Sequence, residues 1–153
     1  MINVLVLFSG SDLAFKEAGF LYPKNLVEIA GKPLIQHVLE HLRPLLAARD
    51  ARLICVLRRD ENRRHHTGAA VRLIEPSACI IELPGDTSGA ACSALHAIDV
   101  IDNPAPLLIV NGDQVLVEIN LNRVLEDFST RELDGGIVVF DDTADMLEQA
   151  RFA

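Results

Sequence analysis

The sequence predicts a three-layer α/β domain built on a mostly parallel sheet. Short runs of Val, Ile and Leu recur along the 153 residues, and they are continuous rather than alternating, the pattern of strands covered on both faces. Segments with apolar residues at helical spacing lie between them. Aromatic residues make up only 5% of the chain and Trp is absent, so aliphatic side chains must fill the space between sheet and helices. A chain of about 150 residues buries roughly 68–70% of the surface its unfolded form exposes, enough for a single domain over 1–153.

The first strand covers residues 3–8 and opens into "FSGSDLAFKEAGFLYPK", residues 8–24. A strand that runs into a short Ser/Gly loop presents backbone N–H groups to a phosphate. A helix over 33–48 follows, with Leu34, Ile35, Val38, Leu39, Leu42 and Leu46 on its stripe. Pro33 suits its first turn, and Pro44 should kink or shorten its far end. Next come a strand over 52–57 and the polar stretch 60–67, "DENRRHHT", a loop or an exposed helix. Strands are expected over 71–74 and 79–83. A helix over 87–101 places Ala91, Ala94, Leu95, Ile98 and Ile101 on one face, with Asp86, Thr87 and Ser88 as caps. A strand over 107–110 ends in "VNGDQ". A helix over 121–128, a strand over 136–140 and a tail or terminal helix within 141–153 complete the domain.

The net charge of −8 is uneven: residues 1–74 carry 11 Lys/Arg against 7 Asp/Glu, and residues 75–153 carry 3 against 15. An acidic chain of this kind argues against nucleic acid as a partner, since that needs a basic face. No stretch approaches the ~20 apolar residues of a membrane span, which argues against a membrane partner. Cys55, Cys79 and Cys92 form no CxxC pair and sit in apolar surroundings, so buried reduced thiols and a cytoplasmic location are expected.

Generic nucleotide motifs fail. There is no GxGxxG, and Gly31-Lys32 is followed by Pro33 where a P-loop needs Ser or Thr. No DxD pair and no GxSxG elbow are present. His37 and His41 are four apart on a helix, but Glu40 is at the wrong offset for HExxH.

Two loops lie where α/β sheets bind ligands, at the carboxyl ends of strands. After the first strand stand Ser9, Gly10, Ser11 and Asp12, followed later by Pro23-Lys24, where proline fixes the backbone ahead of a mobile point charge. After the strand over 107–110 stand Asn111, Gly112 and Asp113, and a carboxylate there can hold Mg²⁺ together with substrate phosphates. Thr87, Gly89 and Ala90 leave room beside a helix start for a flat base or a phosphate.

In this order the pieces resemble the sugar-phosphate nucleotidylyltransferases, the family that makes nucleotide sugars. The matching stretches are "VLVLFSG" at 4–10, "GFLYPKNLVEIAGKPLIQHVLEHL" at 19–42, "TSGAACSALHAI" at 87–98 and "PLLIVNGDQ" at 106–114. The resemblance implies a Rossmann-like fold of the nucleotide-diphospho-sugar transferase type. It implies a nucleoside triphosphate and a sugar phosphate as substrates, Mg²⁺ as cofactor, and pyrophosphate as leaving group. Carried over, Ser9, Gly10, Ser11 and Asp12 would cover the triphosphate. Lys24 would be catalytic, touching phosphate in the transition state. Thr87, Gly89, Ala90 and Asn111 would be further nucleotide contacts, with Gly89 near the base. Asp113 would be catalytic as the Mg²⁺ ligand.

The sequence departs from the family in two places. The family loop reads Gly-x-Gly-x-Arg, whereas here Asp12 stands at the second glycine and Ala14 at the arginine. Arg binds phosphate through two parallel N–H bonds that Ala cannot supply. Members are also longer, so the domain is read as C-terminally truncated. The expectation is a nucleotidyltransferase-like protein of nucleotide-sugar or surface-polysaccharide metabolism with impaired or no transfer activity. Its alternatives are a nucleotide-binding or regulatory module without chemistry, or a structural partner such as a homodimer or the companion of a full-length enzyme. Restoring both loop residues, Asp12→Gly with Ala14→Arg, should raise nucleotide affinity, measured by calorimetry.

Overall fold

All six residues of β1 (Ile2–Leu7) are buried, as a strand covered on both faces requires. The computed structural model describes residues 1–116 and 119–139. Contacts divide the chain into two compact units, Met1–Ile119 and Asn120–Ala153. In the first unit, β1 leads through α1 (Leu13–Glu17) and a 3-10 turn (Lys24–Leu26) to the short hairpin β2 (Glu28–Ile29) and β3 (Lys32–Pro33). Then come α2 (Leu34–Ala48), β4 (Ala51–Arg58), α3 (Arg59–His65), α4 (Thr67–Ile74), β5 (Cys79–Leu83), α5 (Ala90–Leu95), α6 (Ile98–Ile101) and β6 (Leu107–Asn111). The second unit contributes α7 (Leu121–Thr130), whose Asn120 cap accepts a hydrogen bond from the Arg123 N–H.

Four strands form one parallel sheet in the order β5-β4-β1-β6. Val4 lies opposite Leu53 of β4 and Leu108 of β6. The chain builds outward from β1 through β4 to β5, then crosses back to set β6 on the other side of β1. The switch point therefore falls between β1 and β6, where the loops diverge and a crevice opens. Alternation along β1 sends Leu5 and Leu7 to one face, where they join Ile54, Val56, Leu83, Ala94 and Ala97. On α2 the buried stripe is Leu34, Ile35, Val38, Leu39, Leu42 and Leu45, and the helix packs on β4 and α4. The predicted fold class is the observed one.

Several elements differ from expectation. Residues 71–74 are not a strand but the end of α4, with Leu73 86% exposed. A four-residue apolar run carries no period of its own, and Gly68, Ala69 and Ala70 extend it as helix. The helix expected over 87–101 is split into α5 and α6. Gly89 caps α5 at φ 131°, outside the helical region, so no helix can begin before Ala90, and no side chain caps it. Residues 60–65 of the polar stretch fold within α3, His66 follows in the left-handed region (φ 56°), and Thr67 begins α4. Pro44 does not shorten α2, which runs on to Ala48. Residues 136–139 are not in a strand, and Phe140 and the terminal segment 141–153 lie outside the described residues. Cys55 is buried, and that burial pushes its thiol up to about 12. Cys79 is only half-buried, while Cys92, expected to be buried, is exposed on α5. Among the described residues no helix is long and apolar enough to cross a membrane.

Gly112 brings the turn after β6 against the end of β1 and Phe8. Its N–H donates to Leu7 O at 2.9 Å. A Cβ there would lie 2.6 Å from Leu7 O and 2.8 Å from Phe8 Cα, both backbone atoms that cannot yield cheaply. Gly112→Ala should therefore cost about 1–3 kcal/mol in urea unfolding, as overpacking does. Gly85→Ala, where a Cβ meets nothing within 4 Å, should stay within about 0.5 kcal/mol of wild type.

Candidate functional site

Lys24 is held at both ends. Its backbone N–H donates to Asp12 Oδ1 at 3.2 Å, and its ammonium donates to Asp113 Oδ2 at 2.8 Å. Pro23 is extended (φ −61°, ψ 152°) and delivers the chain into the 3-10 turn that Lys24 begins. The lysine is only 8% exposed, so its charge needs a fixed partner. Gly10 lets the ammonium lie close against the first loop, since a Cβ on Gly10 would stand 2.5 Å from Lys24 Nζ.

The pair lies on the wall of a cavity of about 290 Å³ at the β1/β6 switch point. Ser9, Gly10 and Ser11 of the first loop line it, with Lys24, Asn111 and Asp113. Thr87, Gly89 and Ala90 close it from the loop after β5. The Thr87 and Ser93 hydroxyls are 2.6 Å apart, and Thr87 Oγ1 also donates to Gly89 O at 3.3 Å. Asn111 Nδ2 donates to Gln114 Oε1 at 2.8 Å, which shapes the turn around Gly112. Nine of the ten residues singled out from the sequence thus share one cavity. A larger open groove of about 850 Å³ between α3, α4 and the edge strand β5 contains none of them.

Asp12 is the exception. It does not line the cavity but is buried, its carboxylate turned to the Lys24 N–H. The expected negative charge over the triphosphate position is instead a latch on the lysine segment.

The sequence reading missed two further groups. Asn25 is wholly buried, and its Nδ2 donates to Phe8 O at 2.8 Å and to Glu61 Oε1 at 2.9 Å. Glu61, on α3, is 5% exposed. Burial pushes its carboxyl up to about 7; the Asn25 hydrogen bond opposes the rise and the Asp12 charge adds to it. Beside it Arg58 makes two bonds to Asp60, at 3.1 and 2.8 Å, and reaches Asp86 at 2.9 Å. Arg58 thereby ties the end of β4 to the loop before α5. The Asp60 hydrogen bond raises the guanidinium above its ordinary range, and Arg58 lowers the Asp60 carboxyl. Nothing local marked these residues: Asn25 is one polar residue after a lysine, and Glu61 sits in a run of charges that reads as a solvated face.

Among the described residues no cluster of three His, Cys, Asp or Glu could hold a metal unaided. His37 bonds to Ile29 O at 2.7 Å. Asp113 stands at the cavity wall beside Lys24, with its side chain 44% exposed, and Asp86 is the other carboxylate that lines the cavity among the described residues. That fits a Mg²⁺ ion completed by phosphate oxygens and water rather than a cage made by protein alone.

The profile of the MobA-like NTP transferase domain matches residues 17–148, beginning beyond the Ser/Gly loop. The chain is similar to the bifunctional protein GlmU of Methylibium petroleiphilum, 28% identical over 128 residues, which cover 83% of this chain and 26% of that protein. The GlmU of Leifsonia xyli subsp. xyli is 33% identical over 127 residues, covering 81% of this chain and 24% of that protein. The chain thus spans about a quarter of the curated relatives it matches. Among solved structures, HddC from Yersinia pseudotuberculosis complexed with GMP-PN superposes with TM-score 0.65 at 21% identity, over 88% of this chain and 55% of that one. A UDP-glucose pyrophosphorylase complexed with UDP-glucose gives TM-score 0.62 at 18% identity, over 86% and 55%. These structural likenesses establish the nucleotide-diphospho-sugar transferase type of fold.

Glu61 generates a pH prediction. Its folded-state pKa of about 7 lies above the ordinary 4.5, so the neutral acid is favoured by folding. Its contribution to stability is present in full below about pH 4.5 and is lost as pH rises through about 7. Wild type should therefore lose a few kcal/mol relative to Glu61→Gln between pH 5 and pH 8, the size that follows from a carboxyl raised this far by burial. Urea unfolding at both pH values checks this, and parallel curves for the two proteins would refute it.

Proposed function

The chain belongs to the family of MobA-like NTP transferase domains, and from that premise we propose that its cavity binds a nucleoside triphosphate beside a sugar phosphate. The carrying observation is the Lys24–Asp113 pair, 2.8 Å long and 89 residues apart in sequence, set between the loops after β1 and β6. The structural neighbours are complexed with a nucleotide, GMP-PN, and with a nucleotide sugar, UDP-glucose, which supports a nucleotide in the cavity. In this reading the backbone of Ser9, Gly10 and Ser11 faces the phosphates. The base lies against Gly89 and Ala90, where no bulky side chain intervenes, and Thr87 and Asn111 border it.

The reaction is nucleotidyl transfer. An oxygen of the sugar phosphate forms a bond to the α-phosphorus, and the bond from that phosphorus to the bridging oxygen breaks, so that pyrophosphate leaves. Such catalysis is positioning and charge stabilisation. Lys24 provides a point charge toward phosphate oxygens, and Asp12 keeps its backbone in place. Asp113 would hold Mg²⁺, which when bound neutralises phosphate charge. The cation supply is thin, however. Among the described residues Lys24 is the one Lys or Arg on the cavity wall, against Asp86 and Asp113, and Ala14 replaces the loop arginine. Transfer is accordingly slow, and nucleotide-sugar or surface-polysaccharide metabolism in the cytoplasm is the proposed setting. The same acidic wall favours a second reading, nucleotide binding without chemistry.

Calorimetry with each NTP and Mg²⁺, and pyrophosphate release with a panel of sugar 1-phosphates, separate the readings. NTP binding with slow release is expected. Binding with no release selects the second reading, rapid turnover overturns the impaired activity, and no heat at millimolar NTP overturns both. Lys24→Ala should weaken NTP binding by about tenfold or more, as loss of a charged hydrogen bond does. Ala14→Arg alone should bind NTP more tightly than wild type. Adding Asp12→Gly should give back part of that gain, because it removes the acceptor of the Lys24 N–H.

A further inference from the structure

We propose that Glu61 is a positioning residue for Lys24, acting through Asn25. The Asn25 amide is a three-way junction. It joins α3 through Glu61 Oε1, the end of β1 through Phe8 O, and the 3-10 turn through its own backbone. It is one residue from Lys24, and Phe8 is one residue from Ser9 of the cavity wall. With Asp12 on the Lys24 N–H, the lysine backbone is anchored from two directions while the ammonium reaches Asp113.

Bulk stabilisation does not account for this cluster. Among the described residues Glu61 Oε2 and Asn25 Oδ1 are both buried without a hydrogen-bond partner, and an unsatisfied buried polar atom costs stability. Glu61 also faces Asp12 and Asp60, with Arg58 as the opposing cation. A carboxyl kept at this cost, hydrogen-bonded to the residue after the lysine, is explained by holding that lysine in place.

The inference rests on the reading of Lys24 as a phosphate contact, and it extends to charge. A polyanion at Lys24 adds negative charge near Asp12 and Glu61, which favours the uncharged acid. By reciprocity the uncharged acid favours the polyanion. Nucleotide affinity in wild type should therefore fall between pH 6 and pH 8 more than it does in Glu61→Gln.

The test measures amide exchange of Lys24, Leu26 and Val27 by NMR, and Mg-GTP and Mg-UTP affinity by calorimetry, in wild type, Glu61→Gln, Glu61→Ala and Asn25→Ala. Glu61→Ala and Asn25→Ala should speed exchange and weaken nucleotide binding, each by about tenfold, as loss of one buried hydrogen bond that leaves its partner unsatisfied implies. Glu61→Gln, which keeps an acceptor oxygen for Asn25, should hold both within about threefold. Wild-type exchange in Glu61→Ala overturns the positioning role, whatever the nucleotide does. If that variant does not fold, wild-type exchange in Asn25→Ala overturns it instead. Faster exchange in the variants with no nucleotide bound by wild type supports the positioning and overturns the nucleotide reading alone. An identical pH dependence in wild type and Glu61→Gln overturns the charge coupling.

Discussion

A lysine ammonium cannot be buried without a partner, and at the carboxyl end of this sheet the partner of Lys24 comes from 89 residues away. That requirement links features that look separate in the sequence. Asp113 can reach Lys24 only because β6 lies next to β1, which the chain achieves by crossing back after β5. The turn after β6 must then fold down onto Leu7 and Phe8, and only a residue without Cβ fits there. Strand order, Gly112 and the ion pair are thus one constraint stated at three levels.

The features legible in the sequence are those whose cause is local. The runs that form β1, β4 and β6 read as unbroken apolar stretches, and those of β1 and β4 are buried on both faces. Lys24 follows a proline and Asp113 follows a strand by two residues, so chemistry and position coincide. Where the cause is distant, the reading fails. Asn25 and Glu61 meet across 36 residues, and no spacing rule relates them. Residues 71–74 are apolar like a strand, but they continue the helix that starts at Thr67, with Val71 buried and Leu73 exposed, so the run's length rather than its composition decides. The break before Ala90 depends on the backbone angle at Gly89, which composition does not specify.

Asp12 shows how the same residue changes meaning once its neighbours are known. Read in line, it is a negative charge in a loop that should meet phosphate. In the fold it is buried and its acceptor capacity goes to the Lys24 N–H. A glycine at this position leaves the loop free to follow a ligand, whereas a carboxylate fixes loop and lysine segment to each other. The loop has lost adaptability and the lysine has gained a fixed backbone.

That exchange bears on how a phosphate could bind. Lys24 is already satisfied by Asp113, so an incoming phosphate gains only the difference between one anion and another. The difference is small unless Asp113 is itself given another cation. Under the proposed reading, nucleotide and metal binding would therefore be linked, each raising the affinity for the other. A loop arginine would loosen this dependence by bringing a second permanent charge with two donors in a fixed fork. With Ala14 in that place, Lys24 is the one Lys or Arg on the cavity wall among the described residues, and in the proposed reading the polar cluster of Asp12, Asn25 and Glu61 keeps that lysine where a phosphate could find it.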